Sequence, residues 1–265
     1  MGGLEISALG QGSFALDEGD AAANTRALHR GIELGLTHID TAEAYGAGGV
    51  ERFLAKALRG KRSEVFLVSK VHPRNASYEG TIAACERSLA RLETEHLDAY
   101  LLHWHEGHPM EETFRAFERL RADGKIRSWG VSNFELSELE QALAIVGEGK
   151  LACNQIEYFL GQRRYERDLM PFCRAHGITI VGHSPFGDTR FPKPESPEGQ
   201  LLSRLGAQVG LTPRALAIAF LLRDGAATIP KTSKIPHLED NARGASVVLP
   251  AEILAELDRA FPAGG

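Results

Sequence analysis

Along the chain, short apolar runs of β type alternate with longer stretches in which apolar positions return every three to four residues. The short runs fall at residues 7–13 (SALGQGS), 37–40 (THID), 64–70 (EVFLVSK), 97–103 (LDAYLLH), 127–133 (RSWGVSN), 152–158 (ACNQIEY), 179–185 (TIVGHSP) and 227–231 (ATIPK). Between them stand helix signals. Thr212 occupies an N-cap position with Pro213 at the first helical position, and ALHRGIELG closes on Gly35, where a C-terminal glycine belongs. Eight strands each followed by a helix, in 265 residues, predict a single (β/α)8 barrel domain over 1–265, an architecture that typically takes about 250 residues. A doubly wound open sheet is the alternative.

Six of the eight runs start apolar and carry a polar group at or near their C-terminal end: Asp40, Lys70, His103, Ser132 with Asn133, Gln155, and Lys231. A barrel builds its active site at that end. Strand ends are polar wherever they reach water, but an Asp, a Lys and a His on neighbouring strands ask for a chemical reason.

Composition narrows the classes. The longest apolar run, ALAIAFLL at 215–222, is far short of the roughly 20 residues of a membrane span. The net charge of −5 and the scattered Lys and Arg offer no basic stripe for nucleic acid, and RGKRSE at 59–64 reads as a solvated connection. Cys85, Cys153 and Cys173 form no CxxC pattern, so they read as packing thiols. Without a secretory type of leader, a reducing cytoplasm is the expected compartment. The stretch 187–199, with Pro192, Pro194 and Pro197, lacks periodicity and is either a lid or a tolerated insertion.

The segment LLHWHEGH at 101–108 poses a choice. His103 and His105 share a face if the strand continues, as a zinc pair requires. The other strand ends, however, hold Lys70, Asn133, Gln155 and Lys231, and Asp40 is the only carboxylate among them. Metal-dependent hydrolysis is therefore the weaker alternative, and no metal is expected. Proton transfer to a carbonyl oxygen is the stronger reading, because Tyr45 follows Asp40 by five residues. A free tyrosine titrates near 10. A lysine ammonium about 4 Å away, at an effective dielectric near 20, would favour the phenolate by about 4 kcal/mol, roughly three pKa units. On this expectation Lys70 lowers the pKa of Tyr45, Asp40 holds Lys70, and His103 orients the carbonyl.

These fragments together resemble the aldo-keto reductases, NAD(P)H-dependent carbonyl reductases on a (β/α)8 barrel. The likeness runs from about Leu9 to Phe261 and is carried by DTAEAYG, VSK, LDAYLLHW, GKIRSWGVSNF, NQIEY and IPKTS, each at its own strand end. It implies that Asp40, Tyr45, Lys70 and His103 match the catalytic tetrad, with Tyr45 as general acid. Hydride would come from NADPH, NADH being a possible substitute. It further implies cofactor contacts at Gly12, Ser13, Asp40, Ser132, Asn133, Gln155, His183, Ser184, Pro185, Phe186, Gly187, Lys231, Thr232, Ser233, His237, Asp240 and Asn241. Phe14, Tyr45, His72, His103 and Trp104 would line the substrate pocket.

Two positions depart from the family pattern. His183 stands where a tyrosine usually stacks on the nicotinamide, and His237 stands where an arginine usually meets the 2′-phosphate. A short N-terminal segment and the ending FPAGG imply a reduced bottom hairpin and no long C-terminal loop, hence an open pocket with broad, weak selection. The expected protein is a monomeric reductase of small aldehydes and 2-oxoaldehydes such as methylglyoxal, without nucleic-acid or membrane partners. A weakly active nucleotide-binding regulatory subunit on the same fold is the alternative.

Overall fold

Side chains on a strand alternate between two faces, so each strand here offers one set to a barrel interior and one to the helices outside. The computed structural model describes residues 1–264. Its strands are β1 (Gln11–Gly12), β2 (His38–Asp40), β3 (Phe66–Val71), β4 (Leu97–Leu102), β5 (Ile126–Ser132), β6 (Cys153–Glu157), β7 (Thr179–His183) and β8 (Ala227–Thr228). All run parallel, in sequence order. A parallel bridge between Leu9 and Thr228 joins the two edge strands, and Gly10 N–H donates to the Thr228 carbonyl at 2.8 Å. The ring is therefore closed, and the open-sheet alternative falls.

The helices are α1 (Ala21–Glu33), α2 (Gly49–Ala57), α3 (Tyr78–Leu92), α4 (Met110–Ala122), α5 (Leu136–Val146), α6 (Leu169–Ala175), α7 (Pro197–Gln208), α8 (Pro213–Leu221), α9 (Ile235–Ala245) and α10 (Ala251–Ala260). Instead of one helix per crossover, α7 and α8 both lie between β7 and β8, and α9 and α10 both follow β8. The predicted caps form: the Thr212 hydroxyl accepts the Ala215 N–H at 3.2 Å, and Gly35 adopts φ +85° after α1.

The first predicted strand, 7–13, narrows to Gln11–Gly12 because closure brings backbones together there. A Cβ on Gly10 would lie 2.6 Å from the His38 carbonyl oxygen, and one on Gly12 would lie 2.7 Å from that of Ile229. Phe66, Val68, Ala99, Leu101, Val181 and Ile229 fill the interior, with Met1 packed against them. Outside, Phe114 of α4 stacks on Trp129 of β5 with centroids 5.2 Å apart, and Trp129 Nε1 donates to Glu118 Oε1 at 2.7 Å. The stretch 187–199 opens with a 3-10 turn, Asp188–Arg190, tied to β6 by an Arg190–Glu157 ion pair, and runs into α7. Among the described residues no helix is long and apolar enough to cross a membrane. All three cysteines are free and buried, and burial pushes each thiol up to about 12.

His38 is fully buried, edge-on to Phe66 at 5.9 Å, with neither ring nitrogen hydrogen-bonded. Burial, partly offset by Asp40, pulls its pKa down to about 4. Well above pH 6.5 the imidazole is neutral whether the chain is folded or not. As pH falls from 6.5 toward 4, only the unfolded chain gains the proton, so stability is lost. At pH 4.5 that loss is about 2 to 3 kcal/mol. Urea midpoints at pH 7 and 4.5 should therefore converge in His38→Leu relative to the parent. An unchanged difference would mean that His38 does not resist protonation in the fold.

Candidate functional site

The C-terminal end of the barrel holds a buried ion pair. Alternation points Asp40 of β2 and Lys70 of β3 into the same interior, and Lys70 Nζ donates to Asp40 Oδ1 at 2.5 Å and to the Thr41 carbonyl at 2.9 Å. From β6, Gln155 Nε2 donates to Asp40 Oδ2 at 2.7 Å. Burial alone would pull the Lys70 pKa down, but the charge and hydrogen bond of Asp40, together with Tyr45, outweigh it and leave the pKa raised. Lys70 is a permanent cation.

Tyr45 begins a 3-10 turn, Tyr45–Gly48, just past β2. Its ring centroid lies 5.3 Å from Lys70 Nζ, and Phe14 and His103 meet it edge-on at 5.3 and 5.9 Å. Here the structure corrects an expectation. Burial raises the Tyr45 pKa more than Lys70 lowers it, and Asp40 adds to the rise, so the net shift is upward. The Coulomb argument from Lys70 alone left out desolvation and the counter-charge 2.5 Å from the ammonium. His103, following β4, is driven down to about 3 by burial and then by Lys70, His72 and His183. Its Nδ1 is buried without a partner, which leaves Nε2 as the nitrogen able to serve the cavity.

Around these groups opens a cavity of about 670 Å³, lined by Gly12, Ser13, Phe14, Asp40, Tyr45, His103, Trp104, Ser132, Asn133, Gln155, His183, Ser184, Pro185, Phe186 and Lys231 from the sequence reading. Asp188, Arg214, Ile229 and Pro230 also line it and were not foreseen. Asn133, at φ +61°, donates from Nδ2 to the His103 carbonyl and to Ser132 Oγ, both at 3.1 Å, while its Oδ1 lies 3.1 Å from His183 Nε2. His183 therefore ties the ends of β5 and β7 through Asn133.

The remaining candidates lie beyond the cavity wall. Lys70 sits behind Asp40, and His72 packs edge-on to Trp104 at 4.8 Å. Gly187 closes a turn onto the Ser184 carbonyl. Thr232 Oγ1 accepts the Lys234 N–H, and Ser233 shares that loop. On α9, His237 is exposed, Asp240 Oδ2 accepts the Thr212 hydroxyl at 2.5 Å, and Asn241 is buried. Of the other histidines in the 101–108 segment, His105 Nε2 lies 3.2 Å from the His108 carbonyl. Among the described residues no group of three or more His, Cys, Asp or Glu is set to hold a metal.

The cavity's donor set fits a long ligand with an amide-bearing head and an anionic tail. Hydroxyl and amide groups of Ser132, Asn133 and Gln155 line the same cavity as Tyr45, the buried Ser13 hydroxyl has no partner, and the lining Lys231 pairs with no carboxylate among the described residues. Breaking the ion pair should be costly. Asp40→Asn strands Lys70 in the interior and should lower unfolding free energy by about 3 to 5 kcal/mol in urea titration, whereas Asp40→Asn with Lys70→Met should recover most of it. Equal stability of the single and double variants would mean that the charge is not buried in solution.

Known proteins place this geometry. Methylglyoxal reductase YeaE of Escherichia coli is 39% identical over 265 residues, covering 99% of this chain and 93% of that protein. Glyoxal reductase of Bacillus subtilis is 33% identical over 246 residues, with 91% and 83% coverage. The crystal structure of an aldo-keto reductase from Klebsiella pneumoniae in complex with NADPH superposes with a TM-score of 0.91 at 40% identity, covering 97% of this chain and 92% of that one. The model of the Aldo/keto reductase family matches residues 8–261, and the chain belongs to that family.

Proposed function

We propose that this protein reduces small aldehydes and 2-oxoaldehydes, methylglyoxal among them, to alcohols with NADPH. The observation that carries the reading is the convergence of Tyr45, His103 and the Lys70–Asp40 pair on a cavity whose wall also presents Lys231. NADPH, when bound, supplies hydride to the carbonyl carbon. Ser132, Asn133 and Gln155 would hold the carboxamide, and His183 would act by fixing the Asn133 amide rather than by ring area. Lys231 would meet phosphate.

In this reading Tyr45 donates its phenolic proton to the carbonyl oxygen as the carbon accepts hydride. A tyrosine pushed above its ordinary pKa is fully protonated at neutral pH, so it is always loaded for reduction. Lys70, charged and held by Asp40, stabilises the phenolate left behind. His103, neutral, donates a hydrogen bond to the same oxygen and aims the carbonyl; a charged imidazole would repel Lys70. The reading extends to a monomeric, single-domain protein; the free buried thiols support a reducing cytoplasm, and the net charge of −5 supports the expectation of no nucleic-acid partner.

Fluorescence titration with NADPH, followed by methylglyoxal-dependent oxidation of the bound nucleotide, tests the proposal; tight binding without turnover of any aldehyde would refute it. Tyr45→Phe should cut kcat at least about 100-fold while the Kd for NADPH stays within a few-fold of the parent. For His103, held to about 3, protonation is absent above pH 5, so kcat for reduction should be flat from pH 5 to 8. An acid limb with a midpoint near 6.5 would contradict a neutral His103.

A further inference from the structure

Arg214 stands at the second position of α8 and lines the same cavity as Lys231. Its guanidinium carbon lies 4.6 Å from the ring centroid of Phe186 and 4.5 Å from that of Phe191, and the two rings meet edge-on at 5.7 Å. Arginine stacks on aromatic faces through its plane, which leaves the N–H edge free to bind an anion in a fork. Among the described residues Arg214 makes no hydrogen bond or ion pair, so the phenyl rings aim it while no carboxylate neutralises it. Burial alone acts on its pKa, lowering it, as for a cation without a counter-ion. Of the two carboxylates that line the cavity, Asp40 and Asp188, neither forms an ion pair with Arg214.

Local structure fixes the position further. The Thr212 hydroxyl caps α8 and donates to Asp240 of α9, so the first turn of α8 is fastened to the helix that carries His237. Pro213 has no N–H, and Thr212 accepts those of Ala215 and Leu216 through its hydroxyl and carbonyl, so the start of α8 is held in place at Arg214.

We infer that Arg214 is a phosphate ligand for the dinucleotide, acting with Lys231 and supplying the fork that His237 cannot. The inference rests on the reading of the protein as an NADPH-dependent reductase. Two phosphates are open to it, the 2′-phosphate and the diphosphate bridge, and the test separates them.

The Kd values of NADPH and NADH would be measured by fluorescence titration for the parent, Arg214→Met and Arg214→Lys. Methionine keeps an unbranched chain between the two phenyl rings without charge, and lysine keeps the charge without the fork. Arg214→Met should weaken NADPH about 10- to 100-fold, and Arg214→Lys should recover part of that loss. Loss for NADPH alone assigns the 2′-phosphate, and equal loss for both nucleotides assigns the diphosphate bridge; either upholds the inference. A parent-like Kd for Arg214→Met with both nucleotides, or equal weakening by the Lys and Met variants, overturns it while the reductase reading stands. A parent that binds neither nucleotide overturns that reading and this inference together.

Discussion

A lysine ammonium with no exposed surface has to be compensated or removed, and the top of this barrel is arranged around compensating Lys70. Taking an ammonium and a carboxylate out of water costs several kcal/mol for each ion, and their attraction offsets this only when the remaining hydrogen-bonding capacity is also satisfied. Asp40 spends both carboxylate oxygens on that task, one on Lys70 and one on Gln155, and the Thr41 carbonyl takes a further ammonium proton. The pair thereby joins β2, β3 and β6. Lys70 also sets the electrostatics of its neighbours: its charge contributes to keeping His103 neutral and opposes, without reversing, the effect of burial on Tyr45, to which Asp40 adds.

The strand ends were legible because a barrel imposes a rule that sequence displays. Interior positions near the bottom are apolar, as at Phe66, Val68, Ala99 and Leu101, and the same faces turn polar at Lys70, His103, Ser132 and Gln155. Tyr45 could be found because it follows Asp40 on a short turn. Its pKa direction could not be, since that depends on how burial, an ammonium and a carboxylate balance at particular distances. Arg214 gave no local signal at all. In the sequence it is one arginine in the first turn of a well-capped helix, and only the packing of Phe186, just before the aperiodic stretch 187–199, and of Phe191, within it, gives it a direction.

The two departures from the family pattern acquire separate physical accounts. His183 loses ring area relative to a tyrosine but gains a nitrogen, and it uses that nitrogen on Asn133 Oδ1. Asn133 sits in the left-handed region, where asparagine is tolerated better than most residues, so its amide is held from the backbone side and from the side-chain side at once. His237 is exposed on α9, and the missing guanidinium at that position has a counterpart one helix away.

Phe14 gives the mouth of the cavity a thermodynamic character of its own. Its ring is 64% exposed and is held chiefly by an edge contact with Tyr45. Water over a phenyl face is displaced with a decrease in heat capacity, and the gain weakens on cooling. Calorimetry of a molecule that covers this ring would therefore show an enthalpy growing more favourable with temperature, even though the Lys70–Asp40 pair is satisfied in advance and changes little.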